Sequence, residues 1–87
     1  MFADLERMQN RSDLSRKYYQ EALDLLLKTK NRHGQGMVQN GLGELEIQEG
    51  NLPAARNHLL EAKTMFGLTN DKVMEQRTAA RLADLNS

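Results

Sequence analysis

The sequence predicts an all-α domain built from antiparallel helix hairpins, and three observations predict it. Apolar residues recur with a spacing near 3.6 along most of the chain, which is the period of an amphipathic helix. No segment alternates apolar and polar residues as a strand does. A large apolar residue followed by a very small one recurs every 40 residues, at Phe2-Ala3, Leu42-Gly43 and Leu82-Ala83. Because small side chains let helix backbones approach closely, this recurrence indicates a helical repeat that packs at these sites.

Composition narrows the class of protein. The 87 residues make one small domain, with 39% hydrophobic and 28% charged residues. Basic and acidic side chains number 12 each, so the chain lacks the excess of basic charge that attracts nucleic acid or an anionic membrane. There is no cysteine, and the longest apolar run, Leu25 to Leu27, is too short to span a bilayer. We therefore expect a cytoplasmic protein without disulfides, and no nucleic-acid or membrane partner.

The first long helix is predicted from Leu14 to Leu27. Ser12 or Asp13 can cap its start, because their side-chain oxygens accept a hydrogen bond from an unpaired backbone amide. The residues before it, Phe2 to Gln9, are interpreted as the end of an earlier helix. Asn10 then marks a turn between the two helices.

Three further helices are predicted. The second follows a break from Asn31 to Gly36 and ends at Gly50, where glycine supplies a left-handed conformation. The third is capped by Asn51, has Pro53 in its first turn and ends in the segment from Gly67 to Asp71. The fourth runs from Asp71 to Leu85.

Shifting the chain by 40 residues also aligns residues outside the small-residue sites. The matched positions are Ser15 with Ala55, Tyr19 with Leu59, Ala22 with Ala62, Thr29 with Thr69, and Asn10 with Gly50. In this register the chain resembles a tetratricopeptide repeat (TPR). The residues that carry the resemblance are Leu42-Gly43, Ala55, Leu59, Ala62 and the Gly50-Asn51 turn.

The resemblance divides the single domain 1–87 into a truncated first repeat (1–30), a complete repeat (31–69) and a C-terminal capping helix (70–87). The period is 40 residues where about 34 is usual. Gln39 and Glu46 replace large apolar or aromatic residues of the family pattern, and Gly67 stands where proline is common. The resemblance implies a short right-handed solenoid of stacked antiparallel hairpins.

The resemblance also implies a function: a protein–protein interaction module whose concave face binds a peptide or a partner helix. Projecting the groove positions of the family onto this sequence selects Asp4, Met37, Asn40, Gly41, Glu44, Ile47, Gln48, Arg77, Ala80, Arg81 and Asp84.

The acidic and the basic residues in this set each allow two interpretations. Asp4, Glu44 and Asp84 share one register, so they could form a ladder of carboxylates that selects Lys or Arg in a peptide, or they could be isolated charges on a solvated face. Arg77 and Arg81 lie one turn apart and could hold a terminal carboxylate of a partner. The alternative is that Arg81 pairs with a nearby carboxylate such as Glu44.

No residue pattern predicts catalysis, a cofactor or a metal site. His33, expected in a turn, and His58, expected to be partly buried, have no third ligand at metal-like spacing. An alternative function is structural: a self-associating, terminal segment of a larger TPR scaffold. The incomplete first repeat would leave the apolar side of Leu14 to Leu27 without a covering helix, and we expect such a flank to favour a homodimer.

Overall fold

The computed structural model describes the backbone of residues 2–86 and the side chains of residues 12–85. Within this part of the chain four helices follow one another, namely α1 (Phe2–Lys28), α2 (Arg32–Gln48), α3 (Leu52–Leu68) and α4 (Lys72–Asn86). Each helix packs on the next in chain order, and α2 and α3 share the most extensive interface. The predicted all-α architecture is confirmed.

The three turns between the helices share one backbone pattern. Each contains a residue in the left-handed region, namely Lys30 (φ 57°), Gly50 (φ 77°) and Asn70 (φ 60°). The next residue donates its backbone N–H to a carbonyl five residues earlier: Asn31 to Leu26 at 3.0 Å, Asn51 to Glu46 at 2.8 Å and Asp71 to Phe66 at 2.9 Å. This closure satisfies carbonyls that the end of a helix leaves unpaired. The conformation predicted for Gly50 is confirmed.

The first and third turns also share their side-chain bonds. Asn31 Oδ1 accepts from the Gly34 N–H at 3.0 Å, and Asp71 Oδ1 accepts from the Met74 N–H at 3.1 Å. Asn51 stands at the corresponding place before α3 but makes no side-chain cap bond, contrary to expectation. Pro53, in the first turn of α3, has no N–H, so that turn has fewer amides to satisfy. The turns before α2 and α4 are therefore of one kind, and the turn before α3 is of another.

Two predicted boundaries are wrong. Helix α1 is continuous from Phe2 to Lys28, so there is no turn at Asn10 and no helix start at Ser12 or Asp13. The segment contains neither glycine nor proline, and asparagine inside a helix costs less than about 1 kcal/mol relative to alanine. Nothing local therefore forces a break.

The break expected from Asn31 to Gly36 is also too long. Helix α2 already begins at Arg32, because Asn31 caps it through the bond to Gly34. His33 consequently lies in the first turn of α2 and not in a connecting turn. The predicted fourth helix, Asp71 to Leu85, agrees with α4 to within one residue at each end.

The core lies where α3 packs between α2 and α4. Its buried apolar side chains are Leu42, Leu45, Ala55, Leu59, Ala62, Phe66 and Leu82. Gly43 allows a close approach of α2 to α3, since a Cβ atom there would lie 2.8 Å from the Leu59 side chain and 3.4 Å from the Ala55 carbonyl oxygen. The expected packing role of a small residue is confirmed at Gly43.

The expected packing role of a small residue is not seen at Leu82-Ala83, near the C-terminal end of α4. Leu82 is buried, but the small residue beside it, Ala83, is exposed. No helix within residues 2–86 packs on that side of α4. The remaining pair, Phe2-Ala3, lies outside the described side chains.

Candidate partner-binding face

One side of α2 carries all six groove residues predicted on that helix. They are Met37, Asn40, Gly41, Glu44, Ile47 and Gln48, whose spacing of three and four residues places them on one face. Met37 and Gln48 are exposed and the other four are half-buried. A neighbouring side of α2 packs on α3 through Gly36, Gln39 and Gly43. We call the side of α2 that carries the six predicted residues the α2 groove face.

The predicted residues on α4 are all exposed, and one of them joins α4 to the α2 groove face. Arg81 donates from Nε to Glu44 Oε1 and from Nη2 to Glu44 Oε2, both at 2.7 Å. This fork of two parallel bonds fixes the relative direction of both side chains. The expected pairing of Arg81 with Glu44 is confirmed. It brings together two helices that do not follow each other in the chain.

The Arg81 bonds change the electrostatics of the face. Hydrogen bonding to Glu44, with the charges of Glu44 and Asp84, raises the pKa of Arg81 above its ordinary value. Glu44 therefore already has a cationic partner, and a Lys or Arg of a bound peptide would have to share or displace it. Arg77 and Ala80 lie on the same exposed side of α4 as Arg81. Asp4, the remaining predicted groove residue, lies outside the described side chains.

A cleft runs between α1 and the α2 groove face. It has a volume of about 280 Å³ and is lined by Ser15, Tyr19, Gly41, Glu44, Leu45 and Gln48. Gly41 leaves room for the Tyr19 ring, because a Cβ atom there would lie 2.7 Å from Tyr19 Cζ. Ser15 and Tyr19 were not predicted as site residues. The sequence places them in register with Ala55 and Leu59, which indicated a packing role alone.

A second set of charges joins α1 to α2. Arg16 Nη2 donates to Glu46 Oε1 at 2.7 Å and to Glu49 Oε2 at 2.6 Å. These bonds, to Glu49 first and Glu46 second, raise the pKa of Arg16. The Glu46 side chain is only 8% exposed, so Arg16 supplies the counter-charge that its burial requires. Glu46 departs from the family pattern because here its position holds an ion pair.

Both histidines make interhelical contacts. His33 lies against the Phe66 ring at 5.7 Å between centroids, and its Nε2 is 2.8 Å from Asp71 Oδ2. His58 is half-buried, as predicted, and its Nδ1 is 2.7 Å from Gln39 Oε1. Among the described side chains, no three His, Asp or Glu residues converge as metal ligands. Among the helices of residues 2–86, none has the length and apolar character needed to cross a membrane.

Comparison with known proteins identifies the family. The profile of the tetratricopeptide repeat family matches residues 2–66. No curated protein matches the chain, and neither does any solved structure. The family match spans most of the chain and includes α1, α2 and almost all of α3. This chain is therefore a member of the tetratricopeptide repeat family.

Proposed function

We propose that this chain binds an extended peptide or a partner's helix on the α2 groove face and the adjoining exposed side of α4. Family membership supports protein–protein interaction in general. The observation that carries the finer proposal is the Glu44–Arg81 pair, which joins the predicted groove residues of two helices into one surface. In the repeat assignment that we propose, 31–69 is the complete repeat, 1–30 precedes it and 70–87 follows it. We also propose a cytoplasmic location, as expected from the sequence.

The chemistry of the face favours recognition of a peptide backbone. Asn40 and Gln48 carry amide groups that both donate and accept hydrogen bonds, which suits an extended chain with unpaired backbone groups. Met37 is 47% exposed on the same side and can adapt to an apolar side chain of the partner.

Charge has a smaller role in this proposal. Glu44, Asp84, Arg77 and Arg81 sum to zero formal charge on the groove side. Binding should therefore depend weakly on salt, because few counterions are released and the existing pair is already satisfied. A steep loss of affinity with salt would instead favour the carboxylate ladder and a basic peptide.

The test begins with peptides selected from a displayed library of random 12-residue sequences. Affinity for a selected peptide is then measured by isothermal titration calorimetry on the full chain. Met37→Glu and Gln48→Arg are expected to weaken binding at least tenfold, since both side chains are exposed on the groove face. Arg56→Ala and Lys63→Ala, exposed on α3, are the matched controls and should leave affinity unchanged.

The charged pair allows a second control. Exchanging the two charges, with Glu44→Arg and Arg81→Glu in one chain, keeps an ion pair between α2 and α4 but reverses its direction. Binding that survives the exchange assigns recognition to the amides and Met37, whereas binding lost only here assigns it to the charges. Binding that depends on Arg56 or Lys63, and not on Met37 or Gln48, would refute the groove proposal.

A second candidate function is that of a scaffold segment that associates with other copies. A specific observation favours it: Leu14, Tyr18 and Leu25 form an apolar stripe along α1 with exposed fractions of 52%, 62% and 63%. Such a stripe on a small domain is typical of an interaction surface.

A further inference from the structure

Two sides of the molecule are left uncovered by the described helices. We call the stripe Leu14, Tyr18 and Leu25 the α1 flank. The α4 flank is formed by Gln76, Ala79 and Ala83, of which Gln76 and Ala83 are exposed and Ala79 is half-buried. Because packing is consecutive, α1 and α4 stand at opposite ends of the stack. One copy therefore cannot cover its own α1 flank with its own α4.

The local structure shows which helices correspond to each other. Residues 29–31 and 69–71 form the same turn: Thr29 and Thr69 both donate their hydroxyls to carbonyls three and four residues back. Lys30 and Asn70 are both left-handed, and Asn31 and Asp71 both cap the following helix. With these turns superposed in sequence, α1 corresponds to α3 and α2 corresponds to α4.

This correspondence indicates which kind of helix surface would cover each flank. On α3 the residues 40 positions after the α1 flank are Ala54, His58 and Met65. Two of them meet α2: His58 bonds Gln39, and the Met65 Cβ lies 3.1 Å from the place of a Cβ at Gly36. The α1 flank therefore has the position of an α3 surface that α2 covers, but no such helix covers it among the described residues.

The α4 flank has the complementary position. The α2 residues that pack on α3 are Gly36, Gln39 and Gly43, and 40 positions later they become Gln76, Ala79 and Ala83. Gly43 and its counterpart Ala83 are both small, whereas Gly36 becomes the larger Gln76, and its neighbour Phe66 corresponds to the smaller Leu26 on α1. The contact of Gln39 with His58 would become one of Ala79 with Tyr18, where a smaller residue meets a larger one. Such compensating changes preserve the packed volume.

We propose that the α4 flank of one copy packs on the α1 flank of a second copy, head to tail, forming between two chains the hairpin that α2 and α3 form within one. This inference deepens the scaffold proposal by naming its two surfaces. It does not depend on the groove proposal. The interface is heterologous, since different surfaces meet, and every oligomer keeps one free α1 flank and one free α4 flank to which a further copy can add. Association should therefore produce a ladder of oligomers that lengthens with protein concentration.

Sedimentation velocity on the full chain tests the inference over a concentration series from micromolar to millimolar. Tyr18→Lys blocks the α1 flank and Ala83→Arg blocks the α4 flank. Both residues are exposed, so the fold of one copy should survive, as circular dichroism can verify. Each variant alone should show no species larger than the monomer. An equimolar mixture should form a 1:1 dimer, because each variant supplies the flank that the other has lost.

A matched control and a chemical test complete the design. Leu60→Lys changes another exposed apolar residue, on α3, and should leave the ladder intact. The chain has no cysteine, so Ser15→Cys and Ala83→Cys can be introduced on separate copies. These positions correspond to Ala55 and Gly43, where α2 and α3 approach closely, and oxidation should give a mixed disulfide between the two copies.

The outcomes separate the proposals. A wild-type chain that stays monomeric at millimolar concentration overturns this inference and the scaffold function, and leaves helices of a longer chain as the occupants of the flanks. A dimer that persists in Ala83→Arg but not in Tyr18→Lys shows α1 pairing with α1 and also overturns the head-to-tail arrangement. Peptide affinity measured on monomeric Tyr18→Lys reports on the groove alone.

Discussion

Helices α1 and α3 present related residues to different surroundings. Leu59 of α3 is completely buried, whereas Tyr19, 40 positions earlier, is half-buried. His58 is half-buried against α2, whereas its counterpart Tyr18 is 62% exposed. The difference follows from the neighbours: α3 packs between α2 and α4, while α1 packs extensively on α2 alone. Burial in a stacked repeat is therefore a property of the position in the stack as much as of the residue.

The largest test of this difference compares core truncations in the two helices. Phe66→Ala should lower the free energy of unfolding by about 3–5 kcal/mol, because it empties a fully buried site. For a domain of this size that is a large part of the total stability. Leu26→Ala, its half-buried counterpart in α1, should cost only about 1–2 kcal/mol. Urea unfolding followed by circular dichroism measures both, and equal losses would contradict the contrast between the helices.

The second test removes the charged link that holds α1 to α2. Arg16→Ala leaves the Glu46 carboxylate buried without its partner, at a cost of about 1–3 kcal/mol. Arg81→Ala breaks a pair whose side chains are 44% and 38% exposed, and should cost about 1 kcal/mol or less. Thermal unfolding of both variants at one pH gives the comparison. A larger loss for Arg81→Ala would reverse our ranking of the two links.

The third test inserts a methyl group at two helical glycines. Gly43→Ala should destabilise by about 1–3 kcal/mol, because the new Cβ would lie 2.8 Å from Leu59 in the packed interface. Gly67→Ala meets only the end of the flexible Glu75 side chain, and should stabilise by up to about 1 kcal/mol through helix propensity. Opposite signs in denaturant unfolding would support close approach at Gly43. A gain in stability at both positions would contradict it.

The smallest expected effect concerns the cap of α4. The hydrogen bond with His33, and then the Met74 amide, lower the pKa of Asp71 below its ordinary value of 3.8. The unfolded chain therefore binds the proton more readily, so this contribution to stability is present above about pH 4 and is lost as the pH falls through the lowered pKa. Asp71→Asn should melt earlier than the wild type near pH 6, and the difference should shrink as the pH falls below 3.8 towards the lowered pKa. A difference in melting temperature that does not change with pH would exclude this titration.

The parts of the fold that could be predicted from sequence are those governed by local chemistry. Helix periodicity identified α2, α3 and α4, and Gly50 and Pro53 marked the turn between the first two of these. Gly43 was recognised as a contact because a glycine inside a helix is costly unless packing requires it. Such signals act within a few residues of their cause.

The errors arose where distant contacts decide the structure. The turn at Asn10 was inferred from the repeat register and from the possible cap residues Ser12 and Asp13, yet no residue of α1 compels a break. Ala83 carries the pattern of a packed residue, but its exposure depends on a helix that the described chain does not contain.

For the candidate site, the bond between Glu44 and Arg81 followed from the repeat register, whereas the place of Tyr19 in the cleft did not. The position of Tyr19 beside Gly41 depends on how α1 crosses α2. No single helix pattern contains that information.

The consecutive order of packing governs how the molecule opens. Releasing an end helix disrupts one extensive interface, whereas releasing α2 or α3 disrupts two. Fluctuations in solution should therefore detach α1 or α4 while the central hairpin stays closed. Backbone amides of α3 should keep their hydrogens longest in deuterated water, and those of α1 should exchange first.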